Sequence, residues 1–572
     1  MSLVSLDNNF KGVKVLKIMN NKRLTVVDFF CGAGGFSEGF RRAGFDVVMG
    51  IDNWKPAIET HNFNHNLNDN PKSVLDFEDI SEIEKLPDTD VIIGSPPCQL
   101  FSISNRGGNA DKGEGIRLIK TFFKIIAVKK FKKNSNLKAW LMENVPNSKN
   151  FVEDSYTFSD LDLDEWAKSQ GINPQKVAIR AKNNGGILHS DDYGSAQVRK
   201  RFVCGEFVPN GEFPYPDITN FDNKVTLSKL FENFPKPLSQ SQIKNVYDPN
   251  YPCEIIDIRN LRDHFYDTGI YQVQWQKARD AKQKHPYMGR MSFPENMEKP
   301  SRTIMATMSA STREAIIYKS ELNRKGDGEY RLPTIREAAI IMGFPLYYQF
   351  YGNESVKWRL VGNAVCVQLS YALARKILQN LKAENLSPKV IKRNIQQLTY
   401  LDTSELKKFD NPPVRNSKAL FRQFPIKSGN MTVDLTNKVN GEIGNWGVIA
   451  HAGSGKGFTQ VFVTRQLQLT AKTLLNEFDS ELIKIIENDS VIIKYSNSYL
   501  NEANKKYGYT EEDKTHPYYI INYIGKLVEK TLDGRIDKNI NVSETRLSVL
   551  KKDIRLSQIM SLYLVPIIIY GK

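Results

Sequence analysis

TVVDFFCGAGGFSEGF, residues 25–40, passes from a β-branched and aromatic run through a glycine-dense turn into a helical pattern. Strand, tight turn and helix in that order are how an open α/β sheet receives a nucleotide-like ligand at its carboxyl edge. The spacing excludes two common versions of this loop. With Gly32 and Gly34 as the first pair, the dinucleotide fingerprint needs a third glycine at position 37, where Ser37 stands. No GK[ST] follows, so the loop is not a P-loop.

Outward from this loop the same rhythm repeats in DVVMGID, DVIIGSPP, AWLMENVP and KRFVCGEF, all read as strands of a parallel sheet built from βαβ units up to about Phe207. From about Val208 to Arg331 the sequence turns Pro-, Asn- and aromatic-rich, as an inserted domain does. Helical periodicity returns in TIREAAIIMGF and VCVQLSYALARKILQNL. The expected organisation is therefore 1–207 and 331–395 as two parts of one α/β domain, 208–330 as the insert, 396–414 as a linker through DNPPV, and 415–572 as a separate C-terminal α+β domain.

The five cysteines, Cys31, Cys98, Cys204, Cys253 and Cys366, are odd in number and scattered, with neither a CxxC pair nor a Cys/His set of metal spacing. Reduced thiols in a cytoplasm-like compartment and no metal site are expected. The first twenty residues lack the apolar core of a secretory signal. IMSLYLVPIIIY, about twelve residues with Pro566 inside, is too short to span a bilayer, so no membrane partner is expected. A formal net charge of +15 points toward a polyanion.

The loop at 32–35 wants a cofactor that approaches the backbone without a pyrophosphate, and S-adenosyl-L-methionine is such a cofactor. Asp52, closing the next strand, is placed for ribose hydroxyls, and Asp76 in VLDFED for the adenine edge. The alternative is a plain tight turn with Asp52 as a helix cap. In GSPPCQLFSISN, Pro96 and Pro97 fix two successive φ angles at the end of an apolar strand, giving Cys98 a rigid mount at that same edge. The other four cysteines read as small core hydrophobes. Glu143 and Asn144 follow another apolar strand, where a carboxyl suits proton transfer. Gln197, Arg199 and Arg201 recur at period two and share one strand face.

Together these motifs resemble, in order, those of the DNA (cytosine-5)-methyltransferase family of bacterial restriction-modification type. DFFCGAGG is similar to its cofactor loop, PPCQLFS to its nucleophile loop, ENV to its acid motif, QVRKR to its arginine strand, and RLPTIREAAIIMGFP with VGNAV to its closing motifs. The resemblance covers about residues 24–380. It implies a Rossmann-like S-adenosyl-L-methionine-dependent fold with an inserted target-recognition domain. Phe30, Gly32, Ala33, Gly34, Gly35, Asp52, Asn53, Asp76, Phe77, Asn363 and Val365 would surround the cofactor. Cys98 would add to cytosine, Glu143 would engage ring nitrogen 3, and Arg201, supported by Arg199, would hold the base. Asp52 stands where the family commonly has Glu, and residue 53 is Asn.

The substrate implied is double-stranded DNA with the target base flipped out, the enzyme acting as a monomer in the cytoplasm beside a cognate restriction endonuclease. Gln99 and Ser102 of the nucleophile loop, and Lys277, Arg279, Lys282, Lys284, Arg290, Arg302 and Arg313 of the insert, are the expected DNA contacts. KTFFKIIAVKKFKK reads instead as an amphipathic helix with a solvated face. A tRNA cytosine methyltransferase would share the catalytic motifs, and the long insert favours DNA. A non-catalytic DNA-binding regulator could lack Cys98 or Glu143, and both are present. In the C-terminal block, GNWGVIAHAGSGKGFTQVFVTRQL reads as two strands around a glycine turn. GSGKG is not a nucleotide loop, since Ala450 and Gly457 occupy the deciding positions. An accessory domain that grips DNA or a partner is expected there, with a fused endonuclease as the alternative.

Overall fold

The first strand, β1 (Thr25–Phe29), lies inside a six-stranded sheet. The computed structural model describes residues 23–97, 112–238, 244–284, 289–383, 409, 422–423, 427–428, 431–439, 441–453, 459–487, 489, 491, 500, 514, 516–533 and 536–571. Cys98, Gln99 and Ser102 lie outside them. The chain divides into two compact units, Met1–Ile270 with Trp275–Lys408, and Phe409–Lys572 with Tyr271–Gln274.

In the first unit β2 (Asp46–Ile51), β1, β3 (Val91–Gly94) and β4 (Ala139–Asn144) pair in parallel in that spatial order. Outside this sheet, β5 (Ser155–Thr157) pairs antiparallel with β6 (Val177–Arg180), with a 3-10 turn and a short helix between them. The sheet is completed by β8 (Lys200–Phe207) against β4 and by β7 (Gly185–His189) at the edge. These last two strands run antiparallel to their neighbours, which corrects the all-parallel expectation for KRFVCGEF. Between β7 and β8 the connection requires it: a parallel pair needs a long crossover, whereas only a short 3-10 turn at Ser190–Tyr193 and a few extended residues separate them.

Strands β3 and β4 are buried at every position, the physical basis of their unbroken apolar runs. Alternate residues feed two cores. Phe29, Ile92, Trp140 and Met142 pack with Phe122 and Phe123 of α4 (Lys112–Phe131). Val26, Ile93 and Leu141 pack with Phe36 and Phe40 of α1 (Gly35–Ala43) on the other face. Residues 121–129 of α4 are buried all round, so the solvated face expected there is absent over that stretch. Its ammonium groups reach inward partners instead: Lys129 donates to Leu86 O at 2.6 Å and Lys130 pairs with Glu206 at 2.7 Å.

Apart from Tyr271–Gln274, the residues of 208–330 belong to the first unit, and they have little regular structure. Leu227, Leu230, Phe234, Val246 and Ile304 share a core with Ile335–Ile341, a helix started by a Thr334/Glu337 capping box. A smaller cluster forms around Trp275, Ala278, Ala315 and Ile317. In the second unit, antiparallel strands Met431–Val439, Glu442–Ala452 and Thr459–Phe462 pack with helices, and GNWGVIAHA and TQVF form two paired strands as the sequence suggests. The apolar C-terminal run is a core helix, Leu556–Tyr570, buried through Ile568. No helix among the described residues is long and apolar enough to cross a membrane.

Beneath the glycine turn lies a buried polar chain. Ser37 donates from its backbone N and its Oγ to Asp28 Oδ2, at 3.2 and 2.7 Å, and its Oγ lies 2.9 Å from His61 Nε2 on α2 (Lys55–His65). Burial raises Asp28 to about 7 and lowers His61 to about 3. The signs oppose. His61 contributes stability above its ordinary value, near 6.5, that is lost as pH falls toward about 3. Asp28 contributes stability below its ordinary value, near 3.8, that is lost as pH rises through about 7. Denaturant titrations at pH 6.5 and 4.5 should show wild type losing about 2 kcal/mol more than His61→Gln over that interval. Equal losses would remove His61 from the acid limb.

Candidate active site

The carboxyl ends of β1 to β4 and the amino end of β8 converge on a cavity of about 310 Å³. Its floor is the glycine turn. Phe30 takes a left-handed φ of 55°, a conformation disfavoured for a side chain of this size, and begins the reversal out of β1. Ser95 pins the turn from β3, its N donating to Phe29 O and its Oγ to Phe30 O, both at 3.1 Å. Asp52 pins it from β2, accepting Gly32 N at 3.0 Å and Trp54 N at 2.8 Å. Burial raises the Asp52 carboxyl, and these two donors oppose the shift.

Phe30, Gly32, Ala33, Asp52, Asn53, Asn363 and Val365 line this cavity. Four other expected cofactor residues do not. A Cβ on Gly34 would lie 2.4 Å from Tyr348 Oη, and one on Gly35 would lie 2.2 Å from Val365 O, so these glycines let α1 pack against the closing segments behind the wall. Phe77 is a core residue in edge contact with Phe29, and Asp76 is exposed; Ser73, Val74 and Leu75 form the wall there. Trp54 and Arg359 also line the cavity and were missed. Arg359 precedes Asn363 by four residues on α9 (Glu354–Asn363), a spacing that puts both on one helix face.

Opposite the cofactor wall stands Glu143, with Oε1 2.8 Å from Arg201 Nε and both side chains nearly buried. Desolvation raises the Glu143 carboxyl, opposed by the charges of Arg201 and Arg199. Asn144 donates Nδ2 to Pro96 O at 2.9 Å, fixing the approach to position 98. Gln197, Arg199 and Arg201 are buried on one face, as their period predicts, while Lys200 is exposed. Arg199 donates to Ile304 O at 3.1 Å and to Gly362 O and Ala364 O at 3.0 Å, so it joins the insert's last segment to the closing motif as well as lining the cavity. Cys31, Cys204 and Cys366 are buried, and burial keeps the Cys31 thiol protonated. Cys253 is exposed, correcting its expected place in the core.

The insert's basic residues separate by partner. Lys277, Lys284 and Arg290 are exposed. Arg279 is half-buried over the Trp275 ring at 5.4 Å. Lys282 is wholly buried, donating to Ala315 O at 2.5 Å and pairing with Glu295 at 3.2 Å, which corrects its reading as a DNA contact. Arg302 is held by the same Glu295 and by the carbonyls of Arg313 and Ala315. Arg313 is half-buried and donates to Gly289 O at 2.7 Å. All three donate to acceptors of the protein itself.

A mostly parallel sheet with a glycine turn, a ribose-competent carboxylate and a buried carboxyl–arginine pair across one cavity defines a Rossmann-like S-adenosyl-L-methionine-dependent methyltransferase. The family model for C-5 cytosine-specific DNA methylase matches residues 24–379, and the chain belongs to that family. It is 29% identical over 391 residues to type II methyltransferase M.FnuDI of Fusobacterium nucleatum, covering 66% of this chain and 100% of that protein. It is 29% identical over 381 residues to type II methyltransferase M.MthTI of Methanothermobacter thermautotrophicus, covering 63% and 98%. A 133-residue stretch is 38% identical to type II methyltransferase M.HgiGI of Herpetosiphon aurantiacus, covering 22% and 94%. The enzyme transfers a methyl group from S-adenosyl-L-methionine to carbon 5 of cytosine in DNA.

Arg199→Ala would strip donors from three carbonyls at this junction. A loss of about 3 kcal/mol in denaturant-derived stability is expected. Arg199→Lys should recover only part of it, since an ammonium cannot match the planar fork. Full stability in both variants would show that these carbonyls find other donors.

Proposed function

We propose that this enzyme methylates a flipped-out cytosine in duplex DNA at a specific sequence, through a covalent bond from Cys98 to carbon 6. The observation that carries this reading is the buried Glu143–Arg201 pair, set at the cavity beside the Pro96–Pro97 approach to Cys98. Carbon 5 of cytosine is a poor nucleophile until the ring becomes enamine-like. Addition of the Cys98 thiolate at carbon 6 achieves this. Glu143, buried at the cavity and paired with Arg201, steadies nitrogen 3 as charge develops there. Arg201 holds Glu143 in place and presents a guanidinium to the base oxygen. The bound cofactor supplies an activated methyl group. Proton loss from carbon 5 and elimination of the Cys98 thiol then restore aromaticity.

Phe30, Gly32, Ala33, Asp52, Asn53, Asn363 and Val365 would hold the cofactor. An apolar wall of Phe30, Leu75 and Val365 beside the Asp52 carboxyl fits a nucleoside with two hydroxyls. Residues 208–330 would choose the sequence, with Lys277, Lys284 and Arg290 available to phosphate. The stacked duplex cannot reach the cavity, so the base must flip at a cost of a few kcal/mol. We assign the enzyme a monomeric form on DNA in the cytoplasm and a separate cognate endonuclease. The names of its relatives as type II methyltransferases support sequence-specific action. The C-terminal unit, outside the family match, would grip DNA or a partner without cutting it.

Duplex DNA carrying 5-fluorocytosine should trap a denaturation-stable adduct with wild type and none with Cys98→Ser, while labelled methyl groups enter duplex DNA and not tRNA. Equal trapping by the serine variant would refute the Cys98 assignment. Deleting residues 415–572 should leave methyl transfer detectable, weaken DNA binding and flatten its salt dependence. Magnesium-dependent cleavage of unmethylated DNA that disappears on deletion would instead identify the tail as a nuclease.

A further inference from the structure

The glycine turn that floors the cavity holds Phe30, Gly32 and Gly34 at left-handed φ angles of 55°, 52° and 85°. Such a backbone persists only where its surroundings over-determine it. Ser95 and Asp52 pin the first half, at Phe29, Phe30 and Gly32. The second half begins at Ala33, a buried residue that lines the cavity. In a regular helical start the carbonyl of Ala33 would accept the amide of Ser37, four residues on. That amide is committed to Asp28 at 3.2 Å, which leaves the carbonyl without its usual partner. Tyr348 Oη donates to it at 2.5 Å from 315 positions away, and among the described residues this is the one hydrogen bond that Ala33 O accepts.

The donor is itself held. Its ring packs against Phe344 and Phe350, with centroids 4.6 and 5.6 Å apart. On α2, Asn64 accepts Gln349 N at 3.0 Å and donates Nδ2 to Gln349 O at 2.7 Å, while Thr60 Oγ1 accepts Tyr351 N at 3.1 Å. Leu346 N donates to Asp248 of the insert at 2.6 Å. His65 Nε2 lies 3.3 Å from Tyr348 Oη, and a Cβ on Gly34 would come within 2.4 Å of that oxygen and 3.0 Å of that nitrogen, so the hydroxyl and the imidazole fill the space beneath the turn. We propose that Tyr348 is a positioning residue for the cofactor, its hydroxyl fixing the second half of the turn, through Ala33 O, in the shape that cofactor binding requires. The inference rests on the reading that this cavity takes S-adenosyl-L-methionine. Tyr348 stands behind the wall and takes no part in bond making. Because Leu346–Tyr351 is tied to α2 and to the insert, the turn is competent only when this segment is seated.

Tyr348→Phe keeps the ring and removes the donor. The free turn would then relax until water reaches the carbonyl, and cofactor binding would have to reverse that relaxation. Titration calorimetry of the full-length protein with S-adenosylhomocysteine should show binding weakened about tenfold, and the KM for S-adenosyl-L-methionine should rise alike with kcat within about twofold of wild type. Tyr347→Phe is the control. It removes a hydrogen bond of the same segment, to Glu38 at 3.0 Å, and should leave the affinity within about twofold of wild type. A hydroxyl that only braces the fold would lower the denaturant midpoint of both variants and leave both affinities unchanged. Wild-type affinity in Tyr348→Phe, or equal losses in the two variants, would overturn the proposal. Should Tyr348→Phe not fold, amide exchange of the wild type carries the test: S-adenosylhomocysteine should slow exchange at Gln349 and Tyr351 together with the turn, and protection confined to the turn would overturn it. Failure of the wild type itself to bind S-adenosylhomocysteine would overturn the cofactor reading beneath it.

Discussion

The antiparallel pairing of β8 with β4 is the constraint on which the geometry of the cavity depends. Its register sets Asn144 opposite Phe202 and Glu143 opposite Val203, so the start of β8 lies beside the end of β4. Arg199 and Arg201 occupy that start. Had β8 run parallel, both arginines would stand at the amino edge of the sheet, a strand length away from Glu143. The reversal therefore brings a carboxyl and its counter-charge to one edge from positions 58 residues apart, at 2.8 Å. It also explains why the pair is buried: both side chains lie on a sheet whose faces are covered.

Burial then sets the chemistry at each group differently. Glu143 is raised by desolvation, and the charges of two arginines oppose the shift. Asp52 is raised for the same first reason but is committed to two backbone donors, which makes it a structural acceptor. Under the turn, Asp28, Ser37 and His61 form a third polar set that never reaches the cavity and holds α1 against α2. Three acidic residues near one sheet edge thus have three roles, divided by which partner each one reaches.

The net charge of +15 is a poor guide to where a polyanion would lie. Lys129, Lys130, Lys282, Arg302 and Arg199 all donate to acceptors within the protein, and only part of the basic excess in the insert remains at the surface. The second unit likewise turns its most membrane-like sequence into a core helix, Leu556–Tyr570, buried against strands and helices of its own. Composition reports what a chain contains; packing decides which side of the surface it occupies.

The sequence by itself determined the strand–turn–helix around Gly32, the order of the motifs, the shared face of Gln197, Arg199 and Arg201, and the rigid approach at Pro96–Pro97. Each of these depends on neighbours in the chain, through backbone restriction or side-chain period, and so is legible locally. Only the tertiary structure decided the direction of β8, the packing role of Gly34 and Gly35, the core position of Phe77, the burial of Lys282 and the exposure of Cys253. It also brought the Tyr348 hydroxyl to the carbonyl of Ala33. These outcomes depend on which surfaces meet after the chain has folded. Contact between residues hundreds of positions apart is set by sheet order and helix packing, and no local period records it.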